Sequence, residues 1–470
     1  MTFNYFFHMH IYQLLLLLLS LHTPIHPNTK KERKKEEKMV SMAKQPDGGL
    51  IYNLRLSSVG PGQVTGQDEV YEPTNVDLAM KLHYLRAVYY YEREAFDGLG
   101  VLKIKEPLFT LLNHYYVVCG RFRRTESGRP FLKCNDCGVR FIEASCDKSL
   151  EEWIEMKDAG LERLLSPNGV IGPEIFFSPP VWLQLTKFRC GGVSLGLSWS
   201  HILGDAFSAA KFMNMFGKVI SGIEPEWLIR SAQLMTKDLT HQDVAKTAKD
   251  PLSIKKVSPV GDHWKITNNC EMVPFTFSIT PSQMGRIRSI IGNYGPFELI
   301  SSIIWRSVAR NRIGPEPRVV TICKKGPQAR KNSYVSNDQQ ICTVKAADSS
   351  SSVREADLPE LAKLLKHEAT DELREIDEAV ASDGGNSDFV FYGANLTLVD
   401  MDYGEFYELD WRGHKPVYVS YQIDGVGDEG CVVVLPGPGD GAEGRVVTVV
   451  LPENEVTALK SELRKEWSIA

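Results

Sequence analysis

Residues 193–213, "VSLGLSWSHILGDAFSAAKFM", carry an apolar strand-like run almost directly into an amphipathic helix. Phe207, Ala210, Phe212, Phe216, Val219 and Ile220 recur at helical spacing. The pattern stops at Ser221-Gly222, a good helix terminator. Similar strand-like runs, "RFIEA" and "VWLQLTKF", lie upstream between Gly/Pro/Asn clusters, and "LFTLLNHYYVVCGRF" reads as a helix running into a strand. Strand and helix signals resume at "VPFTFSIT", "PSQMGRIRSIIGNYG", "ELISSIIWRSVARNR" and "RVVTICKK". "GCVVVL" and "RVVTVVL" flank the glycine-rich "PGPGDGAEG" as a hairpin, and "ENEVTALKSELRKEW" closes the chain as a helix. The expected class is α/β.

With 470 residues, 43% hydrophobic and 24% charged, the chain is too long for one core, so two domains are expected. The expected divisions are an extension at 1–41, an N-terminal domain at 42–222, a polar crossover linker at 223–262 and a C-terminal domain at 263–470. The segment "AADSSSSVREADLPE" reads as a low-complexity insertion. The lysine-rich stretch at 30–38 carries +3, and subtracting it from the total of −5 leaves −8 on residues 39–470. So acidic a body excludes a general nucleic-acid binder, which needs a basic face for phosphates.

Nine dispersed cysteines do not resemble a disulfide framework. "CNDC" at 134–137 lacks the second ligand pair of a structural zinc site, so no metal is expected. The run "IYQLLLLLLSLH" is shorter than the roughly 20 residues a spanning helix needs, and its charges follow rather than precede it. Residues 1–41 therefore read either as an artefactual start or as an anchor whose lysine-rich flank stays cytosolic.

Chemistry converges on "SHILGD". General acid–base catalysis needs a group that can take up a proton near neutral pH. His201 suits that role, being largely neutral yet basic near pH 7. Gly204 permits a tight reversal, and Asp205 can cap the following helix, turning its carboxylate away to hold the turn. That arrangement predicts an imidazole at the mouth of a cleft. H-x-x-x-D alone is a weak signal, and a histidine satisfied at a strand end is the plain alternative. His83, His114 and His414 read as packing or surface residues, and "VYYYE", Trp199 and Trp305 as core.

Over residues 50–465 the chain resembles the BAHD family of plant acyl-CoA-dependent acyltransferases. The resemblance is carried by "LLNHYYVVCGRF", by "SWSHILGDAFSA" as H-x-x-x-D, and by "YELDWRGHKP" in the place of D-F-G-W-G-K-P. It implies two similar chloramphenicol-acetyltransferase-like domains, mixed sheets flanked by helices, with a solvent channel between them. It also implies acyl-CoA as substrate or ligand, no separate cofactor, and His201, Asp205 and Thr397 as candidate catalytic residues. Asp410 and Gly204 would be structural. Lys324, Lys325 and Arg330 stand where the family meets CoA phosphates, with a solvated basic loop as the alternative.

The departures matter as well. Trp411, Arg412, Gly413 and His414 replace the Phe-Gly-Trp-Gly of the motif, and "TLV" at 397–399 replaces a T-S-W, so the oxyanion-holding Trp is Val399. Losing one such donor typically costs about 10²–10³ in rate. The phrases "NVDLAMKLHYLRAVYYY", "FLKCNDCGVRFIEA" and "SDFVFYGANLTLVD" are similar to the eceriferum/glossy branch of the plant wax pathway. That likeness implies promotion of very-long-chain acyl-CoA elongation for cuticular wax. The chain would act beside a 3-ketoacyl-CoA synthase, at the cytosolic face of the endoplasmic reticulum or in the cytoplasm, and as a monomer. The alternative is a conventional O- or N-acyltransferase using His201 as general base.

Overall fold

The computed structural model describes residues 49–166, 177–225, 250–326, 335–346, 352–439 and 443–469. Two mixed sheets organise them. The first is ordered 51–59, 139–146, 181–188, 193–200, 84–91 and 418–424. Its neighbours pair antiparallel except 139–146 with 181–188, which run parallel. The second is ordered 272–279, 445–452, 431–436, 396–400, 319–324, 340–345 and 370–371. Within it the three strands 431–436, 396–400 and 319–324 run parallel.

The strand Tyr418–Asp424 decides how the halves join. It comes late in the chain yet pairs in register with Tyr84–Tyr91, completing the first sheet rather than the second. Its "YVSYQI" core has the aromatic and β-branched content that suits a pleated, half-buried surface. Around 255–263, inside the stretch read as linker, a short strand Lys255–Val257 pairs with Asp388–Val390.

The histidine strand, Val193–Ser200, is buried at all eight positions. Both its faces are covered, which explains why its sequence is apolar and small rather than alternating. Gly196 is required here, because a Cβ would overlap the carbonyl oxygen of Leu165 where the chain crosses the sheet. Trp199 is fully buried and donates its indole N–H to Gly204 O at 3.0 Å, tying the strand to the turn that follows.

The helix Ala206–Ile220 then packs Phe212, Met213 and Phe216 inward. The aromatic run Tyr89, Tyr90 and Tyr91 is core, as are Trp199 and Trp305. Two helices, Leu358–His367 and Leu373–Ala381, follow the serine-rich stretch in a region whose helical content the sequence patterns did not signal. Among the described residues no helix is long and apolar enough to cross a membrane. All nine cysteines are free thiols. The apolar extension at 1–41 and the hairpin tip at 440–442 lie outside the described residues.

Gly196→Ala should therefore strain the sheet rather than merely fill space. Overpacking of this kind typically costs about 1–3 kcal/mol. Urea denaturation should show a clearly lowered midpoint with an unchanged slope, and an unaltered midpoint would contradict the close approach at Leu165.

Candidate active site

His201 begins a single 3₁₀ turn, His201–Leu203, directly after the histidine strand. Its main-chain N–H donates to His83 O at 3.1 Å, and its carbonyl accepts from Gly204 N at 3.1 Å and Asn337 Nδ2 at 2.9 Å. Asn337 also donates to Asp77 Oδ1 at 2.8 Å, so one amide fixes the histidine's backbone against the first half of the chain. Gly204 has φ of +157°, and a Cβ there would meet Ser336 O at 2.7 Å and Ser336 N at 2.8 Å. The turn can be this tight only without a side chain.

Asp205 caps the helix Ala206–Ile220 by accepting from Ser208 N at 2.9 Å, and its other oxygen accepts from Asp338 N at 3.0 Å. Burial raises its carboxyl to about 6, against those two main-chain bonds, which favour the charged form. The carboxylate is thus used on the turn and on the 336–338 segment, not on the imidazole, as the capping role anticipates.

The imidazole is fully buried. An open cleft mouth was expected at this ring; instead, residues from the second half of the chain cover it. Nε2 lies 2.8 Å from Tyr392 Oη, and the two rings sit 5.3 Å apart. Gln339 approaches the same phenol oxygen at 3.4 Å through each of its amide atoms. Nδ1 has no well-formed hydrogen bond among the described residues. The residue's own carbonyl and Asn337 nevertheless act on the ring in the direction of protonation. With the ring proton on Nδ1 the phenol donates to Nε2, and in the other tautomer Nε2 donates to the phenol. Desolvation dominates and lowers the imidazole pKa to about 4. His83, also fully buried, falls to about 3 for the same reason, helped by repulsion from His201. Its Nε2 accepts from Phe391 N at 3.0 Å, next to Tyr392 in the chain.

Thr397 lies in the strand Leu396–Asp400 and is fully buried. Its hydroxyl donates to Asn395 O at 3.0 Å and accepts from Gly393 N at 3.1 Å, closing the loop that presents Tyr392. Val399 is buried apolar packing.

Asp410 accepts from Gly413 N at 2.6 Å inside a tight turn in which Trp411 and His414 exchange main-chain bonds at 2.8 and 3.2 Å. Arg412 and Gly413 at the turn centre both have positive φ, +58° and +87°. Trp411 is buried, stacked on Phe96 at 4.5 Å and edge-on to Phe216 at 5.3 Å. The indole thereby occupies a structural wedge against the helix Ala206–Ile220.

Of the basic positions, Lys324 is half-buried at the end of the strand Val319–Lys324, and Lys325 is exposed with Nζ donating to Tyr403 O at 3.0 Å. Arg318 pairs with Glu316 at 2.8 Å. Arg330 lies outside the described residues. Structure thus gathers His201, Gly204 and Asp205 into one turn and adds Tyr392, Asn337, Gln339 and His83. Tyr392, Asn337 and Gln339 were not picked out from the sequence, and His83 was read there only as a packing or surface residue. Tyr392 does sit in a phrase singled out by resemblance, five residues before Thr397, but nothing local aims its hydroxyl at residue 201.

Comparison with known proteins places this geometry. The description "Transferase family" matches residues 61–466. The chain is 40% identical over 426 residues to "Protein ECERIFERUM 26-like" of Arabidopsis thaliana, covering 91% of this chain and 98% of the relative. Among solved structures it is similar to vinorine synthase, with TM-score 0.66 and 20% identity over 88% of this chain and 97% of that one. It is also similar to F. graminearum TRI101 complexed with coenzyme A and deoxynivalenol, with TM-score 0.64 and 16% identity, covering 85% and 98%.

A neutral, desolvated histidine stabilises the fold above its free pKa of about 6.5, and that share is lost as pH falls from there through about 4. His201→Asn removes it. In thermal or urea denaturation the advantage of wild type over His201→Asn should shrink by about 3 kcal/mol between pH 7 and pH 4. An advantage constant across that range would mean the ring is solvated.

Proposed function

The chain belongs to the Transferase family, the BAHD acyltransferases, in their ECERIFERUM branch, and on that premise we propose that it handles long acyl-CoA thioesters without completing transfer. The observation that carries this reading is that both groups a transfer requires are occupied by the protein's own atoms. His201 Nε2 is in hydrogen-bond contact with the Tyr392 hydroxyl, and the Thr397 hydroxyl is spent between Gly393 and Asn395. With Val399 in the strand at the oxyanion Trp position, little is left to hold a tetrahedral oxyanion.

The finer role follows from the branch. The chain promotes elongation of very-long-chain acyl-CoA for cuticular wax as accessory to a 3-ketoacyl-CoA synthase, at the cytosolic face of the endoplasmic reticulum. Acyl-CoA is its ligand, it needs no metal, and it acts as a monomer beside its partner. The TRI101 complex with coenzyme A supports the ligand class for this architecture. A conventional O- or N-acyltransferase using His201 as base is the competing reading.

Co-expression with a plant condensing enzyme in a wax-free yeast should extend the acyl chains produced, read by lipid profiling. His201→Ala should leave that extension within about twofold of wild type, because the imidazole is not used as a base. Loss of extension in proportion to loss of the imidazole would favour the transferase reading, and no extension with wild type would end the accessory reading.

Coenzyme A carries phosphates, and a body at −8 needs a local cationic patch to receive them. Replacing Lys324 and Lys325 together by Ala should weaken stearoyl-CoA binding several-fold at low ionic strength and less in 0.5 M salt. Equal affinity in both conditions would remove these lysines from the CoA site.

A further inference from the structure

We infer that Tyr392 is the residue that sets acceptor specificity, its phenol hydroxyl standing where an acceptor hydroxyl would have to sit. The inference rests on the acyl-CoA reading and adds the reason why no acceptor is used. A general base acts on a proton only when the oxygen bearing it lies within hydrogen-bond reach of the basic nitrogen, about 2.6–3.2 Å. At His201 Nε2 that place is filled by Tyr392 Oη, at 2.8 Å, inside a region where both side chains are buried.

The phenol is not there by accident of a mobile side chain. Its ring is held edge-on by His83 at 5.0 Å and by Phe391 at 4.8 Å, while the loop behind it is closed by Thr397. Gln339 stands beside the hydroxyl as a second polar neighbour. Nor is the phenol a competent acceptor itself, since burial holds its ionisation well above the ordinary tyrosine value. It occupies the base without being consumed.

Removing the hydroxyl should therefore expose a latent activity. In Tyr392→Phe the ring packing is kept, and the vacated space between Nε2 and Gln339 has the polar partners a water needs. Hydrolysis would then proceed in balance. The water oxygen bonds to the thioester carbonyl carbon and gives its proton to Nε2. The carbon–sulfur bond breaks, and the departing thiolate takes that proton, leaving a fatty acid and the free CoA thiol. Tyr392→Ala would open additional room, so that a primary alcohol can take the water's place and yield an ester.

The test uses the full chain with stearoyl-CoA, with and without 1-butanol, following free CoA thiol and, separately, stearoyl-CoA binding. Wild type should bind but release almost no CoA. Tyr392→Phe should raise release on the order of 10²-fold, a typical contribution of a positioned base. The rise should vanish in Tyr392→Phe/His201→Ala, and Tyr392→Ala should add butyl stearate. Unchanged melting in Tyr392→Phe ensures that the result does not depend on whether Tyr392→Ala folds.

If Tyr392→Phe binds stearoyl-CoA yet releases no more CoA than wild type, the specificity role is overturned and the acyl-CoA reading stands. If release rises but persists without His201, Tyr392 is not guarding the base. Failure of wild type to bind stearoyl-CoA would overturn both.

Discussion

The hydrogen bond between His201 Nε2 and Tyr392 Oη is the contact on which the functional account turns. It joins a turn at the end of the first sheet to a loop that enters the second, and it does so where neither partner has access to solvent. In such surroundings a neutral donor–acceptor pair is satisfied, whereas a charged imidazole would be expensive. Desolvation and the phenol bond therefore act together. One drives the ring neutral, and the other occupies the lone pair that neutrality frees. A histidine held this way is neutral, with Nε2 against the phenol rather than against solvent.

Its surroundings are built to keep that bond in register. Gly204 allows the turn to touch Ser336, Asp205 joins the helix Ala206–Ile220 to Asp338, and Asn337 links the histidine's carbonyl to Asp77. Each contact recruits the same short segment, 336–338, so a displacement there would be felt by the turn, the helix cap and the base at once. The H-x-x-x-D pair thus has two separable tasks here. The aspartate is architecture, and the histidine is a basic group whose use depends on what lies against Nε2. Retention of the pair is accordingly compatible with a protein that does not transfer acyl groups.

Much of the fold could be read from local patterns. The apolar run at 193–200, the helical spacing after Asp205, the Ser-Gly stop and the hairpin around 431–452 are short-range signals, and the structure carries them as strand, helix, terminus and antiparallel pair. The cap and the glycine turn were legible for the same reason. What could not be read is long-range. Tyr392 lies 191 residues from His201 and Asn337 lies 136 from it. No periodicity records which loop will cover a given strand end. The strand Tyr418–Asp424 looks like many others, and only the pairing with Tyr84–Tyr91 assigns it to the first sheet. Closure of the imidazole is a product of those distant contacts, which is why local reasoning expected an open cleft.

The state of one ring carries this account, and nitrogen-15 NMR of His201 across pH reads it directly. With the phenol donating to a buried neutral imidazole, the spectrum should show the proton on Nδ1, an unprotonated Nε2 and no titration between pH 8 and pH 5. A ring that titrates near the ordinary histidine value, or that carries its proton on Nε2, would contradict it.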